Sequence, residues 1–366
     1  MSIDFDTIPA SIRKPGAYFE FNTKLAQRTL PANAQRVCFI VPLGVGATVL
    51  ANVPTQIYSD DEAEALFGKG VAKAMATAAI KAYRYLDLTL VGVTVAEGAE
   101  PDISDALDST VGGKYNIVVP AWNSQVALTA LRTHIATFTD SIEQQSIIGV
   151  SAITSTLSAA TTLAGQLNAG AITLALLPGT TSTAAEVAAA YAARIASEED
   201  PARPLNTLDL SGIAVPTVSQ RLGRTEQETC LANGVTPLEV GPGDVVQIVR
   251  AVTTYTKSAT DTPDIALLDL TTIRSLYYVR MACRQRIQLR FPREKLSEKT
   301  PAKVRSELLD VLKKCEELEI VEAVDANADG LVVEKSLQDP NRLNAAIPTD
   351  VVNGLHVFAG RIDLLL

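Results

Sequence analysis

Histidine, the side chain that most often serves as a catalytic base, is scarce: the chain has only His134 and His356 in 366 residues. Nucleophilic catalysis needs a base close to a serine or cysteine, and no motif supplies that arrangement. The sequence around Ser151, GVSAI, lacks the second glycine of a nucleophile elbow. We therefore expect no catalytic residues and interpret both histidines as core or surface residues.

Cysteine is also sparse, and no two cysteines form a C-x-x-C pair. The four cysteines are far apart in the chain: Cys38, Cys230, Cys283 and Cys315. This spacing is typical of buried thiols in a reducing compartment, because a disulfide framework or a zinc site needs cysteines or histidines in clusters. We expect neither a disulfide nor a metal site.

The nucleotide and calcium motifs in the chain are incomplete. Gly44-x-Gly46 follows the first predicted strand, but Val49 stands where a dinucleotide-binding fingerprint has a glycine, and no G-x-x-x-x-G-K-[ST] motif occurs. The sequence DANADG at 325–330 matches half of an EF-hand loop, but its twelfth position is Ser336 instead of a bidentate carboxylate. We interpret this sequence as a polar hairpin turn and expect no cofactor.

A long uncharged stretch could be mistaken for a membrane segment, since no charged residue occurs between Glu143 and Glu186. Gly149, Gly165 and Gly170 interrupt it, and no window has the roughly 20 uninterrupted apolar residues of a membrane helix. The N-terminal sequence MSIDFDTIPASIRKPG has acidic residues where a signal peptide has basic ones, and it lacks an apolar core. We expect neither a secretory signal nor a membrane partner.

The composition that remains is typical of an α/β protein with two or three domains: 47% hydrophobic, 20% charged and only 5% aromatic residues. Apolar strand patterns alternate with helical patterns. The predicted strands are 36–41, 88–95, 115–119, 146–150 and 171–177, and the predicted helices are two between 60 and 83, 124–139, 154–166 and 183–196. This alternation predicts a parallel or mixed sheet that is doubly wound, with helices on both faces.

The second half of the chain predicts a smaller α+β domain. The predicted elements there are an edge strand at 208–213, a helix at 225–232, a strand at 245–256, helices at 270–289 and 301–318, and strand-like segments at 332–333, 343–347 and 355–366. We divide the chain into an N-terminal arm (1–16), an α/β domain (17–265, with a sub-domain conceivable at 17–110), a C-terminal domain (266–353) and a C-terminal strand arm (354–366).

Positive charge is concentrated at 271–305, where ten basic residues accompany two acidic ones, although the whole chain has a net charge of −9. Three interpretations are open: a solvated face with ion pairs inside its own domain, an interface with an acidic partner, or a nucleic-acid surface. The last has little support, because the chain is acidic and only Tyr277 and Tyr278 lie among the arginines. We expect no nucleic-acid partner.

Five segments form an ordered set of motifs that spans nearly the whole chain. They are IDFDTIPASIRKPGAYFEFN at 3–22, DPARPLNTLDLSGI at 200–213, TEQETCLANGVTPL at 225–238, the TTYT segment with the Arg-rich helix at 253–290, and NGLHVFAGRIDLLL at 353–366. The set resembles the tail sheath proteins of contractile phages, particularly the Mu-like branch. The chain is shorter than many members, which implies that outer insertion domains are absent.

The resemblance implies a structural protein and not an enzyme. It implies a subtilisin-like middle domain that faces outward, a C-terminal domain that faces a tail tube, and arms that add strands to neighbouring subunits. The implied partners are further copies in stacked hexameric rings, the tail tube protein, and baseplate and tail terminator proteins. Contraction from a metastable state would drive the tube through the host envelope.

The implied location is the virion tail, assembled in the host cytoplasm. Two other functions stay open at this point. One is an α/β hydrolase or nucleotide-binding enzyme, and the other is a non-contractile structural or adhesive surface protein.

Two groups of residues are candidates for the assembly sites. The apolar contact residues of the arms are Ile3, Phe5, Ile8, Leu355, Val357, Phe358, Ile362 and Leu364. The candidates for facing the tube are Arg284, Arg286, Lys299, Lys303 and Arg305. For the second group the alternative is pairing with Glu307, Asp310 and Glu316 of the same domain.

Overall fold

A computed structural model of the chain describes Gly16, residues 30–96, Ala99 and residues 101–364. The predicted N-terminal arm, with its candidate contact residues Ile3, Phe5 and Ile8, therefore lies outside the described residues except for Gly16.

The described elements alternate between strands and helices over the first two thirds of the chain. The helices are α1 (Asp60–Phe67), α2 (Val71–Ala82), α3 (Ser104–Thr110), α4 (Gln125–Phe138), α5 (Leu157–Leu167), α6 (Ala184–Ser197), α7 (Arg224–Ala232), α8 (Leu270–Arg290) and α9 (Thr300–Glu317). The strands are β1 (Arg36–Pro42), β2 (Thr55–Ile57), β3 (Asp87–Val93), β4 (Ile117–Pro120), β5 (Ile148–Ile153), β6 (Ile172–Leu176), β7 (Thr236–Gly241), β8 (Val245–Ile248), β9 (Val321–Glu322), β10 (Val332–Lys335), β11 (Leu343–Ala346) and β12 (Asp350–Val351).

Eight strands form one sheet in the order β2-β3-β1-β4-β5-β6-β7-β8. The six inner strands are parallel, as in the pairing of Val37 with Leu88 on one side and with Ile117 on the other. The edge strands β2 and β8 are antiparallel to their neighbours. The predicted mixed, doubly wound α/β fold is confirmed, and the strands of residues 36–93 belong to the same sheet as the rest.

Helices cover both faces of the sheet because neighbouring side chains of a strand point to opposite faces. On β1, Phe39 belongs to the buried cluster that includes side chains of α1, α2 and α6, while Ile40 belongs to the cluster with side chains of α3, α4, α5 and α7. The buried face of α6 is mostly alanine, which lets α2 and α6 pack closely against each other and against the sheet.

Short polar side chains fix where the helices begin. A capping box begins α6: Thr183 Oγ1 accepts from the backbone N–H of Glu186, and the Glu186 carboxylate accepts from the backbone N–H of Thr183. Ser59 and Ser124 cap α1 and α4 with the serine hydroxyl alone, which accepts from the backbone N–H of Glu62 and of Ala127. After the C-terminal end of α7, Gly234 has a φ of +70°, the left-handed conformation in which glycine commonly ends a helix.

The strand predicted at 245–256 is wrong beyond Ile248, where β8 ends. The backbone N–H groups that follow find other acceptors: Thr253 donates to the carbonyl of Leu268, and Thr254 donates to the carbonyl of Ile172. The buried hydroxyl of Thr236 accepts from Val252 N–H at 2.9 Å. The TTYT segment therefore crosses the end of the sheet instead of extending its edge.

Two other predicted elements differ from the structure. The edge strand at 208–213 is reduced to an isolated bridge between Asp209 and Gln247. The DANADG sequence at 325–330 makes a turn, but β9 and β10 on either side of it pair with β12 and β11 instead of each other, so it is not a hairpin. The described part of the predicted strand at 355–366 has no regular secondary structure.

The C-terminal domain is built on the contact between α8 and α9. Its buried side chains include Val279, Leu308 and Leu312, and the strand pairs β10–β11 and β9–β12 pack beside α9. The first half of α8 contributes to the α/β core instead, where Leu270 is fully buried. One helix thus belongs to both domains.

Candidate assembly surfaces

The arginines in the first half of α8 connect the two domains. Arg274 is buried, and its guanidinium donates to the carbonyl oxygen of Glu198. Burial lowers the pKa of Arg274 to about 10, so its side chain stays charged at neutral pH. Arg280 donates to the carbonyl oxygens of Thr139 and Gln145 at 2.7 and 3.0 Å. The helix is therefore fixed to the α/β domain by charge-assisted hydrogen bonds.

Arg286 forms a network of ion pairs inside the C-terminal domain. Its side chain is 4% exposed and lies 3.0 Å from the Glu307 carboxylate and 2.5 Å from the Asp310 carboxylate. Burial acts to raise the pKa of Asp310, but hydrogen bonds from Arg286 and Lys314 outweigh it and hold the pKa below its usual value. The prediction that Arg286 is on a tube-facing surface does not hold for this subunit, because α9 covers it.

The other candidate tube-facing residues lie in different environments. Lys303 is exposed and pairs with Glu294 at 3.0 Å. Arg305 is half-buried and donates to the carbonyl oxygens of Leu331 and Ala328, where it closes the turn before β10. The remaining two candidates, Arg284 and Lys299, are exposed.

An apolar groove runs between α8 and the β10–β11 pair. It has a volume of about 680 Å³. Its apolar lining comes from α8 and its C-terminal end (Leu276, Val279, Ile287, Phe291) and from the strand pair and its flank (Val333, Leu343, Ile347). Arg284 and Glu294 also line the groove. Beside the groove, β10 and β11 form a two-stranded sheet, so each has an edge without a partner strand among the described residues.

The C-terminal segment, residues 355–364, is exposed although it is rich in apolar side chains. The five predicted contact residues of this arm are 78–100% exposed: Leu355, Val357, Phe358, Ile362 and Leu364. Only His356 is largely buried, with its ring between Asn206 and Asp269. An exposed apolar segment of this length is unfavourable in water.

The cysteine, histidine and serine side chains that the sequence analysis considered as candidate catalytic or metal-binding groups lie in the interior of the fold. Burial raises the pKa of the Cys315 thiol to about 11, so it is protonated at neutral pH, and all four cysteines are buried and unpaired as predicted. Burial lowers the pKa of His134, although the nearby carboxylate of Asp108 opposes this shift. Ser151 is buried inside β5. Among residues 30–96 and 101–364, no cluster of three His, Cys, Asp or Glu side chains could hold a metal ion, and no described helix is long and apolar enough to cross a membrane.

Two family models match the two domains of this architecture. The model described as the phage tail sheath protein central domain matches residues 96–254, and the phage tail sheath C-terminal domain model matches residues 262–364. The chain belongs to the phage tail sheath family. The resemblance found in the sequence motifs is thereby confirmed.

A relative of this sheath protein comes from the same Mu-like branch. The Mu-like prophage FluMu tail sheath protein of Haemophilus influenzae is 30% identical over 279 residues, which cover 73% of this chain. The match covers 57% of that relative, so the chain spans little more than half of its length.

Solved structures of sheath proteins share the fold with much lower sequence identity. The sheath tail protein of Desulfitobacterium hafniense has a TM-score of 0.66 at 10% identity, over 93% of this chain and 97% of that one. The corresponding protein of Listeria innocua has a TM-score of 0.64 at 13% identity, over 90% and 94%. The helical sheath of the anti-feeding prophage in its contracted state gives 0.64 at 14% identity, over 97% and 99%.

Sequence reasoning missed the roles of Arg274 and Arg280 in this sheath protein. The acceptors of Arg274 and Arg280 lie 76 and 135 residues away in sequence, so no local pattern identifies them. The partners of Arg286 are closer, 21 and 24 residues on. They are Glu307 and Asp310, two of the three acidic residues that the sequence offered as the alternative to a tube contact.

Proposed function

We propose that this chain is the repeating subunit of a contractile tail sheath, and that it polymerises by placing its C-terminal segment on a neighbouring copy. The observation that carries the proposal is the exposed apolar segment 355–364 in a chain that also has an open apolar groove. Subunits joined in this way make heterologous contacts, which continue as rings and helical stacks instead of closing as a dimer.

The groove and the strand pair beside it are suited to receive such a segment. An extended segment can add a strand to the open edge of the β10–β11 pair through main-chain hydrogen bonds. Alternate apolar side chains of the same segment can then enter the groove, and burial of each contributes roughly 1.5–3 kcal/mol. The occupant that we propose is the C-terminal segment of a second copy, with the N-terminal arm as a further contact.

The wider role follows from the family and stays part of the proposal. The subunits would form stacked hexameric rings around a tail tube and contract from a metastable state, with baseplate and terminator proteins at the two ends. The location would be the virion tail, assembled in the host cytoplasm. A structural role, without catalysis, accounts for the buried thiols and the interior positions of His134 and Ser151.

Negative-stain electron microscopy of the purified full-length chain tests this function. We expect hollow tubes or stacked rings of uniform diameter to form as the protein concentration is raised. A chain that stays monomeric or forms closed dimers at every concentration would contradict the proposal.

For the contact with the tube we propose two exposed cations. Arg284 lies at the mouth of the groove, and Lys299 lies in the adjoining loop before α9. Single exposed charge pairs contribute only about 0–1 kcal/mol, but the contact is repeated in every subunit along the tail. The double variant Arg284→Glu/Lys299→Glu should still form tube-free polymers, yet coat purified tail tubes only at roughly tenfold higher concentration. Co-sedimentation with tubes measures this difference.

The matched control is Lys69→Glu/Arg84→Glu, which changes the charge by the same amount at exposed positions of the α/β domain. It should coat tubes like the unmodified chain. The defect of the first variant should become smaller as salt is raised, because salt screens exposed charges. Equal coating by the two double variants would place the contact with the tube elsewhere.

A further inference from the structure

The C-terminal segment is held on its own subunit at a single side chain before it becomes exposed. After β12 the chain returns to the α/β domain, where His356 Nδ1 lies 3.1 Å from Asn206 Nδ2. His356 Nε2 lies 3.5 Å from Asp269 Oδ1. The His356 side chain is 13% exposed, whereas the residues on either side, Leu355 and Val357, are 79% and 78% exposed.

The partners of His356 are themselves fixed. Arg250 donates two hydrogen bonds to the Asp269 carboxylate at 2.9 and 2.8 Å, and this bidentate geometry holds the carboxylate in one orientation. Gly354 provides the close approach, since a Cβ atom there would lie 2.8 Å from Pro204 Cγ. The segment therefore meets two separate parts of the chain: the loop between α6 and α7, with Pro204 and Asn206, and Asp269 just before α8.

The hydrogen-bonding pattern selects one form of the imidazole. In a neutral ring with its proton on Nε2, Nδ1 accepts from the Asn206 amide, and the Nε2–H faces the Asp269 carboxylate at 3.5 Å, beyond a hydrogen bond. A protonated ring has a second N–H on Nδ1, which faces another donor. The charged groups facing the ring are Asp269, which favours the cation, and Arg250, which opposes it.

We propose that Asn206, Asp269 and His356 form a C-terminal anchor that fixes the root of the segment on its own subunit and sets residue 357 as the first residue available to a neighbour. The proposal rests on the proposed exchange of this segment between subunits. An anchored root fixes the origin and direction of the segment, which reduces the entropy lost when its end docks on another copy.

The anchor should weaken in mildly acidic solution. Burial, together with Arg250, lowers the pKa of His356, and Asp269 only partly opposes this shift. A group whose pKa is lower in the docked state favours docking fully above its undocked pKa, about 6.5, and progressively less as the pH falls below that value. Release of the segment root is therefore expected between pH 7 and pH 5.

Hydrogen–deuterium exchange of the dilute full-length chain tests the anchor, with rates corrected for the intrinsic effect of pH. At pH 7.5 the amides of residues 350–355 should exchange roughly tenfold faster in His356→Ala than in the unmodified chain, since the hydrogen bond to Asn206 and the contact with Asp269 are lost. His356→Gln, which can still accept from Asn206 and face Asp269 with an N–H group, should restore most of the protection. In the unmodified chain we expect these amides to exchange faster at pH 5.5 than at pH 7.5. His356→Gln should abolish that difference, because glutamine does not titrate.

The second histidine provides the control. His134→Gln removes the other buried imidazole of the chain and should leave the pH dependence of residues 350–355 unchanged. The anchor is contradicted if residues 350–355 of His356→Ala exchange like those of the unmodified chain. It is also contradicted if acid slows their exchange, because the Asn206 amide would then have turned to accept from a protonated ring. The same exchange measurement on a chain that lacks residues 358–366 shows whether His356 is docked, and it does not require that chain to polymerise. Failure of the anchor can therefore be distinguished from failure of the assembly proposal.

Discussion

A chain that lacks residues 358–366 should stay a folded monomer under conditions in which the full-length chain forms tubes. The truncation removes Phe358, Ile362 and Leu364, each more than 80% exposed, and it leaves the C-terminal anchor in place. Each apolar side chain contributes roughly 1.5–3 kcal/mol when it is buried, and 1.4 kcal/mol corresponds to a factor of about ten in an equilibrium constant. The loss of even two of these three contacts per subunit raises the critical concentration for assembly at least about 100-fold. Sedimentation velocity can measure this change.

A matched substitution separates this effect from a general loss of surface hydrophobicity. Ile362→Asp should act like the truncation, whereas Tyr85→Asp, at a position 83% exposed beside β3, should polymerise normally. Circular dichroism should show that all three proteins are folded. Normal tubes from the truncated chain would mean that the segment is not the part that joins the subunits.

Replacing Arg286 by methionine should destabilise the C-terminal domain by about 3 kcal/mol, as expected for a buried ion pair that loses one partner. The substitution leaves the Glu307 and Asp310 carboxylates 13% and 27% exposed without their shared cation. Arg290 at 3.1 Å from Glu307 and Lys314 at 3.2 Å from Asp310 stay in place. These two cations keep the loss of unfolding free energy at the lower end of the range for such pairs. Urea unfolding measures this loss.

The neighbouring Arg284→Met is the control, because Arg284 is exposed on the same helix and should change the free energy of unfolding by less than about 0.5 kcal/mol. The network also predicts a pH effect. The pKa of Asp310 is lowered, so its stabilising contribution is present above about pH 4 and is lost as the pH falls further. Arg286→Met should lose much of this acid sensitivity. Equal stability of the two variants would contradict the role assigned to Arg286.

The α/β domain could be predicted from sequence because its signals are local. The buried parallel strands are short apolar runs such as β4 and β6, and the helices between them begin at capping residues such as Ser124 and Thr183. Each strand and its following helix lie within about thirty residues. Their arrangement on both faces of one sheet then follows from the handedness of the crossovers.

The segments that join the domains could not be predicted in the same way, because distant partners decide their structure. TTYT has the composition of a strand, but its N–H groups bond to Ile172 and Leu268 instead of a ladder partner. The basic residues of α8 resemble a charged surface in sequence, although Arg274 and Arg286 are each 4% exposed. The groove between α8 and β11 depends on the packing of both elements and has no sequence pattern of its own.

A cryo-electron microscopy map of tubes formed by the full-length chain tests the central claim most directly. The account predicts that residues 357–364 leave their own subunit after His356 and form a strand beside the β10–β11 pair of a neighbouring copy, with apolar side chains in its groove. A map in which this segment lies on its own subunit, or in which the groove is empty in the assembled tube, would contradict the account.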